Sequence, residues 1–188
     1  MFSSVIKLHI LVGSLAMEKW DIYDKHRNKI GKQIARGDDL TQDQFHLVVH
    51  VCIFNSDGEM LIQQRQPFKQ GWSNLWDISC GGSAVAGDTS QQAASRELFE
   101  ELGIHYNFEK IRPKFTINFE CGFDDYYLIE HDFNFDELTL QPEEVQAVKW
   151  ASMEEILELI KLKKFIPYYE SIIAFLFEAR QHYGSIRQ

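Results

Sequence analysis

The stretch GGSAVAGDTSQQAASRELFEELGI, residues 81–104, carries a full set of helix signals. Thr89 with Gln92 three residues on makes a capping box, and Gly103 suits a left-handed stop, so the spacing predicts a helix over 90–102. Ala94, Leu98 and Leu102 form an apolar stripe that can seat the helix on a sheet. Glu97, Glu100 and Glu101 stand at i, i+3 and i+4, which stacks three carboxylates on one neighbouring face. Like charges so spaced cost a helix roughly a few tenths of a kcal/mol per pair. A solvated acidic face is one reading. The lead-in favours another, because a strand, two glycines and a loop can bring backbone carbonyls beside the carboxylates. Such an all-oxygen site suits a hard cation, Mg2+ or Mn2+.

Working outward, Phe45–Phe54 alternates as a strand, with Phe45, Leu47, Val49, Val51 and Ile53 on one face and His46, Val48, His50 and Cys52 on the other. Asn55-Ser56-Asp57-Gly58 is a hairpin turn, and 60–65 returns as the partner strand. A short strand is expected over 75–80, running straight into Gly81-Gly82. Strands are also expected over 114–120 and 126–133, joined by 121–125, with Asp124 and Asp125 at a hairpin tip, and over 145–150. Two helices close the chain, one from Met153 to about Lys163 and one opened by Pro167 that carries Ile172, Ile173, Leu176 and Phe177. Ahead of all these, 20–35 reads as a hairpin turning at 24–28. Strands interleaved with three helices give an α/β or α+β sheet with helices on its faces.

The chain has 188 residues, 45% hydrophobic and 25% charged, which fits a single domain over 17–188. Residues 1–16 read as an apolar leader or as a mis-called start upstream of Met17, too short to span a bilayer. With 19 Lys and Arg against 28 Asp and Glu, the net charge is −9, which argues against nucleic acid or anionic membrane as a partner. An anionic small molecule remains compatible if a metal supplies local positive charge. Three widely spaced cysteines, Cys52, Cys80 and Cys121, make neither a disulfide framework nor a zinc motif, and a reducing cytoplasm is the simpler setting.

Residues 82–104 resemble the Nudix box, Gly-x5-Glu-x7-Arg-Glu-U-x-Glu-Glu-x-Gly-U, where U is a bulky aliphatic residue. Gly82, Arg96-Glu97, Leu98, Glu100-Glu101 and Gly103-Ile104 match, and Asp88 stands where the box has its first glutamate. The resemblance implies a Nudix fold, a mixed β-sheet sandwiched between α-helices, here with an N-terminal β-hairpin. It implies divalent-metal-dependent hydrolysis of a small phosphoanhydride, a nucleoside diphosphate derivative or related pyrophosphate. By position, Glu97, Glu100 and Glu101 would bind metal with a backbone carbonyl at Gly81 or Gly82. Arg96 would orient a neighbouring carboxylate, and the shorter Asp88 would hold it weakly or through water. Glu100, Glu101 and Arg96 are the catalytic candidates.

The wider resemblance, roughly 18–160, is to the Nudix branch similar to isopentenyl-diphosphate isomerase. His46 falls at that enzyme's metal-binding histidine, Arg65 and Lys69 at its diphosphate-binding pair, and Trp72 and Trp76 at its tryptophans. Its catalytic cysteine falls on Gly81 and its second histidine on Ser83, while Cys80 is one residue early and turned to the opposite face. Loss of the thiol, with Glu97 and Glu100 retained, favours a hydrolase over an isomerase; a non-catalytic nucleotide-binding module is the third reading. Arg65 and Lys69 are candidate phosphate contacts, and Glu144, or its neighbour Glu143, is a candidate additional metal ligand or base. His46 and His50 are expected simply to pack between sheet and helix. The C-terminal apolar stripe is expected in the core or at a homodimer surface.

Overall fold

A computed structural model describes residues 17–186; the leader or upstream start expected at 1–16 lies outside the described residues. Strands β1 (Lys19–Tyr23) and β2 (Lys29–Ala35) form the N-terminal hairpin, a two-stranded antiparallel sheet of its own. Asp24 closes its turn, Oδ1 accepting from the His26 and Asn28 backbone N–H groups at 2.9 Å each. Next come β3 (His46–Phe54), β4 (Met60–Arg65), β5 (Trp76–Asp77), β6 (Cys80–Ser83) and α1 (Ser90–Leu102). The chain continues through β7 (Phe115–Phe119), β8 (Gly122–Glu130), β9 (Val145–Ala151), α2 (Met153–Lys161) and α3 (Glu170–Ala179). Strands β3 to β9 make one seven-stranded mixed sheet, in which β3 runs parallel to β8 and the other paired strands are antiparallel.

Alternation along β3 feeds two cores. Leu47, Val49, Val51 and Ile53 meet Ala93, Ala94, Leu98 and Leu102 of α1, the stripe read from the sequence. Cys52 and Phe54 face the other way, onto Ile156 of α2 and Ile173, Leu176 and Phe177 of α3. Fully burying one such aliphatic side chain is worth roughly 1.5–3 kcal/mol, so the stripe rather than the acidic face decides how α1 lies. The capping box forms as expected, with Thr89 Oγ1 accepting from Gln92 N at 3.2 Å, and Gly103 ends the helix at φ 75°.

Three local expectations change. The single strand expected over 75–80 is two short strands, because the segment lies where β3 and β4 splay apart: β5 pairs with β4 and β6 with β3. Ser79 sits at the crossover, fully buried, donating to Leu61 O at 2.6 Å and accepting from Ile53 N at 2.8 Å. Asp124 and Asp125, expected at a hairpin tip, lie inside β8 instead; Phe119 pairs with Gly122, so only Glu120 and Cys121 turn. Asp125 is fully buried there, its carboxylate taken up by the Arg27 guanidinium, Thr116 Oγ1 at 2.6 Å and Ser90 Oγ at 2.5 Å. An aspartate looks like a turn residue until distant partners satisfy its charge. The last helix starts at Glu170, beyond Pro167, because the chain before it stays extended against β5: Ile166 N donates to Trp76 O at 2.9 Å and Tyr168 OH to Asp77 Oδ1 at 2.9 Å.

Candidate active site

Gly82 and Gly81 of β6 pair with Val49 and His50 of β3, so their missing side chains face opposite sides of the sheet. A Cβ on Gly82 would overlap the Glu97 carboxylate; one on Gly81 would lie 2.9 Å from His50 Nδ1. Bare backbone at these two positions is what allows α1's acids to close down on one side and His50 on the other.

Five carboxylates (Glu18, Glu97, Glu100, Glu101, Glu144) and three guanidiniums (Arg36, Arg65, Arg96) line a cavity of about 410 Å³ at this point, leaving it net acidic. Arg96 organises one wall. Its Nη1 donates to Glu97 Oε1 at 3.0 Å and Glu100 Oε2 at 2.9 Å, its Nη2 to the Ser83 carbonyl at 3.0 Å, and its Nε to Asp88 Oδ2 at 3.1 Å. The Asp88 contact is therefore direct, not water-bridged as its shorter side chain suggests; the loop brings the carboxylate close enough. Burial works against the Arg96 charge, but Glu97, Asp88 and Glu100 outweigh it and push its pKa up.

The three helix acids are not equivalent. Glu100 has a side chain 46% exposed, whereas Glu97 and Glu101 are buried. Burial raises the Glu97 pKa, with Arg96 opposing. Glu101, hydrogen-bonded by Gln63 Nε2 at 2.9 Å, is pushed up to about 8, first by burial and then by the charge of Glu97. Among the described residues no three His, Cys, Asp or Glu side chains are gathered as a ligand set, since Arg96 draws Glu97 and Glu100 while Gln63 holds Glu101. The donor chemistry nevertheless fits a hard divalent cation: the carboxylates are crowded at a net cost, and the Gly82 cradle leaves Glu97 against bare backbone.

Of the other residues singled out in the sequence, Arg65 lines the cavity, its Nε donating to Gly71 O at 3.2 Å. Lys69 lies in an adjoining cavity with Arg36 and Arg65, and donates to Glu144 Oε1 at 2.5 Å. Glu144 borders both spaces, and Glu143 only the adjoining one. His46 lines neither: it is buried, stacked on Trp20 at 4.4 Å, and burial lowers its pKa. His50 does more than pack, pairing through Nε2 with Asp124 Oδ1 at 3.1 Å. The Cys80 thiol is buried in the α1-side core, on the face away from Gly81's missing side chain, and burial pushes its pKa well up. Arg36 and Glu18, joined at 2.6 Å, were not legible as site residues. They flank the open end of the N-terminal hairpin, one residue outside its strands, and no motif marks them.

A mixed sheet lies between helices and carries a glycine-backed acidic cavity beside α1. The model of the NUDIX domain matches residues 44–174. The chain belongs to the Nudix hydrolase family. An uncharacterized Nudix hydrolase of Listeria monocytogenes is 49% identical over 153 residues, covering 81% of this chain and 90% of the relative. An isopentenyl-diphosphate Delta-isomerase of Pectobacterium atrosepticum is 31% identical over 143 residues, covering 72% of this chain and 75% of the relative. The crystal structure of a Deinococcus radiodurans protein shares the fold, with a TM-score of 0.69 at 24% identity, over 88% of this chain and 100% of that one. No helix among the described residues is long and apolar enough to cross a membrane.

Proposed function

We propose that the chain hydrolyses a phosphoanhydride bond in a nucleoside diphosphate derivative or related pyrophosphate, with Mg2+ or Mn2+ held by Glu97, Glu100 and Glu101. The observation that carries this is the meeting of those three carboxylates with Arg65 and Arg36 in one net-acidic cavity. An anionic substrate and five carboxylates are compatible when cations are bound between them. Such a cation neutralises phosphate oxygens and lowers the pKa of a bound water. The chain's own part is positional. Arg96 keeps Glu97, Glu100 and Asp88 in register, Gln63 orients Glu101, and Arg65 and Arg36 present positive charge to the phosphate chain while water attacks phosphorus and the bridging oxygen leaves with the other phosphate. Lys69, tied to Glu144 beside this cavity, is placed for a more distal phosphate.

Isomerisation lacks its residues here, since Gly81 has no side chain and the Cys80 thiol is buried on the wrong face. The test is product release from nucleoside di- and triphosphates, sugar nucleotides, dinucleotides and isopentenyl diphosphate, with magnesium and with manganese. A Glu100→Gln, Glu101→Gln variant runs alongside. Metal-dependent turnover of a phosphoanhydride, lost in the variant, is the expected result. Turnover that survives the double substitution, or conversion of isopentenyl diphosphate to its isomer, overturns the assignment.

A further inference from the structure

The loop between β6 and α1 carries Asp88 and is gripped from outside by the N-terminal hairpin. Ala86 N donates to Lys19 O at 2.7 Å and Gly87 N to Asp21 Oδ2 at 2.8 Å, while Lys29 Nζ donates to Asp88 O at 2.9 Å. Lys29 Nζ also reaches Asp21 Oδ2 at 2.7 Å, so one ion pair holds both loop residues. Gln33 Nε2 steadies the other Asp21 oxygen at 3.2 Å, and the Lys29 ammonium lies 5.8 Å from the centre of the Tyr23 ring. Burial works against the Asp21 charge, but Lys29, the Gly87 N–H and Gln33 outweigh it and hold its pKa below the ordinary carboxylate value.

Seating the hairpin does not need this ion pair. Tyr23 and Phe45 exchange backbone hydrogen bonds at 2.8 and 3.1 Å, and Trp20 stacks on His46, which together anchor the hairpin to β3. The Lys29 side chain is 41% exposed, and an ion pair that solvent reaches so freely adds little to stability. What the pair does fix is the position of two consecutive backbone groups that carry a carboxylate one methylene shorter than glutamate. Gly87 turns there at φ 99°, with Asp88 N donating to Val85 O at 3.0 Å, and Asp88 Oδ2 then meets Arg96 Nε at 3.1 Å. Arg96 in turn holds Glu97 and Glu100. Contacts therefore run unbroken from the hairpin, through two loop residues, to the arginine behind the acidic cavity.

We propose that Asp21 and Lys29 are positioning residues for Arg96: by pinning the backbone at 87–88 they let the short Asp88 side chain reach the guanidinium, and so keep Glu97 and Glu100 in place for a metal. The metal part rests on the function proposed above; the Arg96 part does not. The full chain is compared with Lys29→Met, Lys29→Arg, Asp88→Glu and the double variant Lys29→Met, Asp88→Glu. Asp24→Ala serves as a control, since it loosens the hairpin turn without touching the loop. Two quantities are read: solvent exchange of the Arg96 Nε–H by NMR in EDTA, and Mn2+ affinity by calorimetry without substrate.

Lys29→Met should speed that exchange by roughly tenfold or more, as a local opening does. It should weaken Mn2+ binding by roughly tenfold, the low end for losing an outer partner of a ligand. Lys29→Arg should keep both quantities near native, because a guanidinium can bridge the same two oxygens. In the Asp88→Glu background the longer side chain reaches Arg96 unaided, so adding Lys29→Met should change little, and that non-additivity marks coupling through residue 88. Asp24→Ala should leave both quantities unchanged. Native exchange and native Mn2+ affinity in Lys29→Met, equal losses in Asp24→Ala, or the same loss in both residue-88 backgrounds overturns the proposal. Faster Arg96 exchange in a Lys29→Met protein whose parent binds no Mn2+ would keep the positioning role and sink the metal reading instead.

Discussion

Replacing Glu101 by glutamine should make the protein more stable, and by an amount that grows with pH. Glu101 is 4% exposed and sits beside Glu97, and its pKa is pushed to about 8 from an ordinary 4.5. Between those two values the folded chain keeps a proton that the unfolded chain releases. Stability therefore falls as pH rises through this window, and the full cost is present above about 8. At about 1.36 kcal/mol per pH unit, the cost reaches about 3 kcal/mol at pH 7 and has a ceiling of about 5 kcal/mol. Glutamine keeps the shape, and its Oε1 can still accept from Gln63 Nε2, so the substitution removes the charge with little change in packing. Urea denaturation in EDTA at pH 5, 7 and 9 measures this: the two proteins should differ little at pH 5, with Glu101→Gln ahead by about 3 kcal/mol at pH 7 and by more at pH 9. Magnesium should narrow the gap at pH 7, since a ligand at 100 times its Kd stabilises the native protein by about 2.7 kcal/mol and the variant has lost a carboxylate that would bind it. A gap that stays flat with pH, or a variant less stable at pH 9 in EDTA, would refute the reasoning.

Two further outcomes follow from the geometry. Gly82→Ala should lower turnover of whichever phosphoanhydride of the panel is hydrolysed by roughly 100-fold, because its methyl overlaps the Glu97 carboxylate and displaces it. Stability should change little by thermal denaturation, because the atoms displaced are the far end of a flexible side chain; full activity in a folded Gly82→Ala protein would remove the cradle from the mechanism. At the buried pair, Arg27→Met should cost about 3–5 kcal/mol because it strands the fully buried Asp125. Asp125→Asn should cost less, about 1–3 kcal/mol, because the Arg27 side chain is 36% exposed and can turn to water. Denaturant midpoints rank the two, and the opposite ranking contradicts this account.

How far the sequence could be read depended on how local each signal was. The α1 helix and both its ends follow from Thr89, Gln92 and Gly103, whose bonds close within a few residues. The two faces of β3 follow from strict alternation. The reading failed where a residue's conformation answers to a distant partner. Ser79 breaks a strand in two because β3 and β4 diverge around it, and Asp125 remains in a strand because Arg27, Ser90 and Thr116 converge on it. Pro167 does not open a helix because β5 holds the chain on either side of it.

The same distinction divides the site. Placing Glu97, Glu100 and Glu101 on one helical face needs only the 3.6-residue period, so sequence alone determined it. Tertiary structure made Glu101 a buried acid and Glu100 an exposed one, although they are adjacent in the chain. It also brought Arg36, at the open end of the N-terminal hairpin, to the cavity rim and left Lys69 to one side of it. Helical spacing is a property of neighbouring bonds, whereas burial and charge pairing belong to whatever the folded chain sets around a side chain.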